Sequence, residues 1–316
     1  MKPKNSTESA LDWLSLVNTE DYDLMLERIA LTEKAVVVGF LNQHAYNLIE
    51  QRSQVKESFS KIDYLLRDGI GIKIACMANG LLPGLNLNGT DFIPRIISKL
   101  RQGSDRSLQF FAFGTQEPWL SRGAQQLTGT NEVVVLDGFQ NPGSYIEVFE
   151  TQQKQGSLAV IILAMGMPKQ EKVAQMLKAA ITGPAIIICG GAILDFASGR
   201  VERAPVIMRR TGTEWLYRLC KEPKRLFQRY VFGIPLFFVY VLRNLLKEET
   251  VDPSYDSAEV RIISEPGHIS KPKEVMYNLD YQLPQNERAA KANDGSPNKP
   301  EIARKAVRRA KGLIES

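Results

Sequence analysis

The sequence has few of the residues that hold disulfides and metals. Three cysteines (Cys76, Cys189, Cys220) and two histidines (His44, His268) occur in 316 residues. No CxxC pair or framework spacing links the cysteines, which excludes a disulfide scaffold and fits a reducing cytoplasm. Two histidines cannot build a His-rich metal site. No stretch comes near the ~20 apolar residues of a spanning helix. The polar start, Met1 to Ala10, lacks the apolar core of a signal peptide. There is no GxxxxGK(S/T) loop for an NTP, and Gly69-Ile70-Gly71 lacks the third glycine of a dinucleotide site.

What is present suits a packed core over most of the chain: 44% hydrophobic and 24% charged residues. Six short apolar runs are bounded by turn residues: 35–40, 62–66, 108–113, 133–136, 158–164 and 184–189. Their near-continuous hydrophobicity predicts strands buried on both faces. Amphipathic stretches at 42–51, 91–101, 118–127, 143–155 and 169–180 alternate with them. This alternation predicts an α/β fold, a Rossmann-like and mostly parallel sheet with helices on both faces.

The expected organisation is a flexible start (1–10), an α/β catalytic domain (11–199), a basic amphipathic helical appendage (200–247) and a tail (248–316). The tail is rich in Pro, Ser, Asn, Glu and Lys and is expected to be mostly disordered, apart from a short basic amphipathic helix over 302–314. The formal charge is +5, and the basic residues crowd after Gly199.

Ligands of open parallel sheets bind outside the carboxyl ends of the strands. The polar and glycine residues there are Asn42, Asp68, Gly114, Gly138 with Phe139, Gly166, and Gly190-Gly191. Asp68, between a strand and Gly69, is placed to take a proton from a hydroxyl nucleophile; its other use is to cap the helix that begins near Ile70. The Gly166-Met-Pro-Lys-Gln-Glu171 turn offers backbone N–H groups at a helix start and a cation, Lys169. A plain helix start with solvated Lys169 and Glu171 is the alternative. The Arg- and aromatic-rich stretch after Gly199 suits either a nucleic-acid surface or an anionic membrane. The apolar run Val231–Leu242 favours the membrane, because nucleic-acid binding has no use for Phe237 and Phe238 facing water. Docking of this helix on the α/β domain or on another subunit is the remaining alternative.

The order of Asn42, Asp68-Gly69-Ile70-Gly71, Asn88-Gly89-Thr90-Asp91, Asp137-Gly138-Phe139, Gly166 to Glu171, Gly190-Gly191-Ala192 with Asp195, Arg203-Ala204-Pro205 and Glu214-Trp215-Leu216-Tyr217-Arg218 resembles the bacterial WecG/TagA/CpsF glycosyltransferases over about 11–246. The resemblance implies an inverting transfer, without metal or cofactor, of a sugar (ManNAc, ManNAcA, Glc or GlcA type) from a UDP-sugar. The implied acceptor is a polyprenyl-diphosphate-linked glycan of cell-surface polysaccharide synthesis, such as teichoic acid or exopolysaccharide. The implied place is the cytoplasmic face of the plasma membrane, as a peripheral protein. By resemblance Asp68 is the base, with Asn42 in the same pocket. Gly114, Gly138, Phe139, Gly166, Lys169, Gln170, Glu171, Gly191 and Asp195 would face the UDP-sugar. Arg203, Arg209, Arg218, Arg225 and Arg229 would face the acceptor diphosphate and an anionic membrane. Homo-oligomerisation is compatible with this reading and nucleic acid is not expected. Two departures stand out: Phe40 where many members have Thr, and Asn86 where many have Arg. The turn after the third run, Gly114-Thr115-Gln116-Glu117, also departs from the usual glycine-rich one. A nicotinamide-dependent oxidoreductase and a non-catalytic membrane adaptor are the competing readings.

Overall fold

The computed structural model describes residues 9–103 and 106–248. The first eight residues, and the tail beyond residue 248 with its expected 302–314 helix, lie outside the described residues.

Each apolar run forms a strand: β1 (Ala35–Leu41), β2 (Tyr64–Arg67), β3 (Leu108–Gly114), β4 (Val133–Leu136), β5 (Leu158–Ala164) and β6 (Ala185–Cys189). They make one sheet in the order β2-β1-β6-β5-β3-β4, and every pair is parallel. Strands β1, β2, β5 and β6 are buried along their whole length, whereas the edge strand β4 is half-buried. The buried strands read as unbroken Val/Ile runs because side chains of both faces must be apolar. On one face Val37, Leu41, Ile161, Leu163 and Ile187 pack with Tyr46, Phe59, Val173 and Leu177. The alternate residues Val36, Val38, Val160, Ile162, Ile186 and Ile188 are buried on the other face. Burying each such side chain contributes about 1.5–3 kcal/mol.

The strand order places the crevice. From β5 the chain runs to β6 on one side, and from β3 to β4 on the other, so β5 and β3 diverge at a topological switch point. A second divergence lies between β1, which leads to β2, and β6, whose following helix Ile193–Ala197 packs on the Trp119–Thr128 helix beyond β3. Both openings are at the carboxyl edge of the sheet.

After Gly199 come helices Val206–Thr211, Glu214–Lys221 and Pro223–Phe227, a π-helical turn at Gln228–Phe232, and the helix Gly233–Glu248. The sequence predicts no stretch of spanning reach. The helical run Pro223–Leu246 nonetheless is 24 residues long and holds an 18-residue window of mean hydropathy 1.3, enough by length and composition alone to cross a membrane. The difference arises because the π turn joins two pieces that read as separate.

This run docks on the helix Gln43–Gln51. Phe237 is wholly buried, edge-to-face with Tyr46 at 5.2 Å. Gln43 Nε2 donates to the Arg229 carbonyl at 3.0 Å, and Asn47 Nδ2 to the Gly233 carbonyl at 2.7 Å. Asn244 Nδ2 donates to the Tyr46 hydroxyl and to Glu50 Oε1, and Arg243 pairs with Glu50. The opposite face leaves Phe232, Phe238, Val239, Leu242 and Leu246 exposed. Both uses weighed for this helix thus have a surface: one face is docked, and the other is free and apolar.

Candidate active site

Asn42 follows β1 and caps the helix Gln43–Gln51, its Oδ1 accepting from the His44 and Ala45 amides at 3.1 and 3.0 Å. Its Nδ2 then points to the neighbouring strand end and donates to Asp68 Oδ2 at 3.3 Å. Asp68 follows β2, and its amide donates to the Leu41 carbonyl at 2.9 Å, as in a continued sheet. It does not cap the next helix, whose N-cap, Gly69, has φ +90°, a backbone region glycine enters without strain. Asp68 is half-buried. Burial pushes its carboxyl above the ordinary carboxylate range, opposed by the Asn42 hydrogen bond and by the charges of Arg229, Arg218 and Arg67.

The appendage brings cations over this carboxylate. Burial lowers the Arg229 guanidinium, which sits 5.6 Å from the Tyr230 ring centroid. Arg218 stacks over Phe196 at 5.5 Å. Arg203 Nη1 donates to Asp91 Oδ1 at 2.8 Å, and Asp91 is held below its usual range by that bond above all. The Nε groups of Arg203, Arg218 and Arg229, with Arg203 Nη2, are buried and find no hydrogen-bond partner among the described residues. Buried donors in that state are costly, and an anion is the natural partner. Arg209 donates to the Ala204 carbonyl. A second carboxylate, Glu214, stands in the same field. Burial raises it, Asp68 adds to the rise, and Arg203, Arg218 and Arg209 oppose it. Nearby His44 is lowered to about 4 by burial and by Arg229 and Arg52, so its imidazole is neutral.

A second cluster lines the β5/β3 opening. Gly114 runs so close to β5 that a Cβ would meet the Ala164 carbonyl oxygen at 2.2 Å. Thr115 follows with φ +32°, and its Oγ1 donates to Asp195 Oδ1 at 2.7 Å. Arg200 Nη1 reaches both groups, at 2.9 and 3.2 Å. Gly138 is tied to the Thr115 carbonyl by its amide. Phe139 projects into solvent at 75% exposure, its amide held by Asp137 Oδ1 at 2.9 Å. Arg225 is bonded twice to Glu222, at 2.6 and 2.8 Å, and its charge also feels Asp195. The appendage therefore touches both clusters.

The Gly166–Glu171 turn is used differently from its sequence appearance. Gly166 has φ +81°, and Pro168, after a cis peptide bond, is the N-cap of the helix Lys169–Ala180. Lys169 Nζ donates to the Gly138 and Gln140 carbonyls at 2.8 and 2.6 Å, bridging the β5 and β4 turns. Gln170 and Glu171 are wholly buried. Gln170 Oε1 accepts from the Gly191 amide at 3.0 Å, and its Nε2 donates to Glu171 Oε1 at 2.8 Å. Gln170 thus shapes the cleft through Gly191, and Glu171 lies behind it.

Burial raises Glu171 to about 7, with the Gln170 bond opposing. The folded state then binds this proton more tightly than the unfolded chain. The contribution is full below the unfolded value of about 4.5 and is lost as pH rises through about 7. At about 1.4 kcal/mol per pKa unit, the loss is on the order of 3 kcal/mol. Glu171→Gln is expected to flatten this fall, seen as a smaller stability difference between pH 5 and pH 8 in denaturant unfolding. An equal fall in both proteins would refute the assignment.

Residues 12–251 match the Glycosyl transferase WecG/TagA/CpsF family. The chain belongs to this family. It is thus a glycosyltransferase, of a family tied to polysaccharide and teichoic acid biosynthesis, and the oxidoreductase reading falls away. In this family member the two departures have structural uses. Phe40 is buried edge-to-face with Phe92 at 6.0 Å and lies against Gly89. Asn86 Oδ1 accepts from the Gly69 amide at 2.7 Å.

Sequence reasoning gave no role of their own to Glu214, Asp91, Arg200, Thr115 and Arg67. Glu214 and Asp91 stand inside the motifs that carry the resemblance, and that was the available signal. Nothing in local spacing marks Arg67, because two of its three carbonyl partners, Pro83 and Gly84, lie on a loop more than a dozen residues away.

Proposed function

We propose that this glycosyltransferase moves a sugar from a UDP-sugar to a polyprenyl-diphosphate-linked acceptor, with inversion and with Asp68 as general base. One observation carries the reading: a strand-end carboxylate, fixed by Asn42, lies in the field of Arg218 and Arg229, whose buried Nε groups find no partner among the described residues. The acceptor hydroxyl gives its proton to Asp68 while its oxygen bonds to the anomeric carbon. The bond from that carbon to the diphosphate oxygen breaks, and the electron pair leaves with UDP. Arg203, Arg218 and Arg229 supply charge for a diphosphate, and a preorganised cluster of donors stabilises developing negative charge. Phe139, Gly166, Gly191 and the Thr115–Asp195–Arg200 group flank the opening where the nucleotide would lie. A thermal-shift screen across UDP-sugars, then transfer assays on a short-chain lipid-diphosphate acceptor, tests the reading. No transfer from any UDP-sugar would favour the adaptor instead.

We also propose that the protein lies on the cytoplasmic face of an anionic membrane through the free face of its C-terminal helical run, from the π turn onward. Phe232 and Val239 are 63% and 59% exposed there, and apolar residues beside cations suit a headgroup boundary. Phe232→Glu with Val239→Glu leaves the docked face untouched. This double variant is expected to stop sedimenting with vesicles of anionic phospholipid, and unchanged sedimentation would remove the attachment from this face.

A further inference from the structure

We propose that Arg67 and Asn86 are positioning residues that clamp the Asp68–Gly69 turn and so fix the direction of the base, an inference that rests on the role given to Asp68 above. Gly69 has the freest backbone of any residue type and follows Asp68 directly. Both of its backbone polar groups are taken by side chains. Its N–H donates to Asn86 Oδ1 at 2.7 Å, and its carbonyl accepts from Arg67 Nη1 at 3.1 Å.

The same guanidinium reaches the loop that delivers Asn86. Arg67 Nε donates to the Pro83 carbonyl at 2.7 Å and Nη2 to the Gly84 carbonyl at 3.0 Å. The Arg67 carbonyl in turn accepts from the Leu87 amide at 2.9 Å. These contacts close a ring: Arg67 to the 83–84 loop, through Asn86 to Gly69, and back to Arg67. Arginine suits the position because its rigid fork addresses three carbonyls at once, which an ammonium cannot do in the same geometry. Arg67 is buried at 6% exposure, whereas Asn86 is exposed.

A brace for the loop alone would contribute stability and nothing to the chemistry. A clamp on the base predicts more. Asn86→Ala, in the full-length protein, frees the Gly69 amide. Peptide-resolved hydrogen exchange at Gly69 is expected to accelerate at least ~10-fold. The turnover number with a UDP-sugar and short-chain lipid-diphosphate acceptor is expected to fall on the order of 10- to 100-fold, with the donor KM within about threefold. Asn86→Asp keeps the acceptor oxygen and should restore exchange protection. Its added negative charge should move the acid limb of the turnover profile to higher pH. Arg67→Lys should behave as Asn86→Ala does. Should that variant fail to fold, exposed Asn86 still carries the test.

Wild-type turnover in Asn86→Ala would overturn the proposal, and so would lost turnover with unchanged Gly69 exchange. If the native protein transfers no sugar, the function proposed for it fails. The positioning claim is then judged on the carbon-13 titration of the Asp68 carboxyl, which should move in Asn86→Ala and is overturned if it does not.

Discussion

Asp68→Asn is expected to lower sugar transfer by about 100- to 10,000-fold, the span a positioned general base contributes. The substitution keeps an oxygen to accept from Asn42 Nδ2, so the turn has no reason to rearrange. Stability at neutral pH should not fall, because burial already disfavours the charged carboxyl. The variant removes that burden. The wild-type enzyme should lose turnover on the acid side with a midpoint above the usual aspartate value of about 4. Arg218→Met or Arg229→Met should move this midpoint higher still, since both charges oppose the effect of burial. UDP release in the presence of lipid acceptor, followed from acid to neutral pH, reads all three. Near-normal turnover by Asp68→Asn would take the base role away from this residue.

Phe237→Ala should be the most damaging change outside the cleft. The ring is wholly buried between the docked helix and Tyr46, and emptying such a site costs about 3–5 kcal/mol. That cost falls where helix Gly233–Glu248 seats on helix Gln43–Gln51 and beside Gly71 of helix Ile70–Ala78, and not on the sheet. The expected result is a folded α/β domain with a released C-terminal helix. Hydrogen exchange should rise across 233–248, with little change in the β1 and β6 peptides. Turnover should fall on the order of 100-fold, because Arg218 and Arg229 are carried by the same appendage. Val239, 59% exposed on the free face, is the control. Val239→Ala should shift stability by no more than about 0.5 kcal/mol. A released helix with intact turnover would separate docking from catalysis and end this account.

Much of the sheet was legible because parallel strands buried on both faces leave runs of Val and Ile that hardly occur otherwise. Leu158–Ala164 and Val133–Leu136 agree with their strands to the residue. The second run shifted, from 62–66 to Tyr64–Arg67, since Ile62 packs against Gly39 before the strand begins. Asp68 and Asn42 were legible from strand-end position. The bridging use of Lys169 was not, because only tertiary structure brings the Gly138 and Gln140 carbonyls within its reach. Glu214 and Phe237 share that reason: each meets residues well over a hundred positions earlier, and periodicity carries no record of such pairs. The 200–247 stretch was readable as basic, helical and amphipathic, but the hydrophobic pattern alone could not assign one apolar face to protein and the other to the surface.

The π turn at Gln228–Phe232 decides which way the last helix looks. Leu226, Tyr230, Phe237 and Val241 all face inward. Along an unbroken α-helix advancing about 100° per residue, the last of these would have drifted roughly 60° around the axis from the first. One widened turn takes up that drift, as a vernier corrects an accumulating offset. The Gln43 and Asn47 side-chain amides donate to the Arg229 and Gly233 carbonyls at that point. Tightening the coil back to a regular pitch would rotate the downstream aromatics away from Tyr46 and turn the greasy outer stripe toward the protein, so the azimuth of every residue beyond Gly233 is set by five residues upstream.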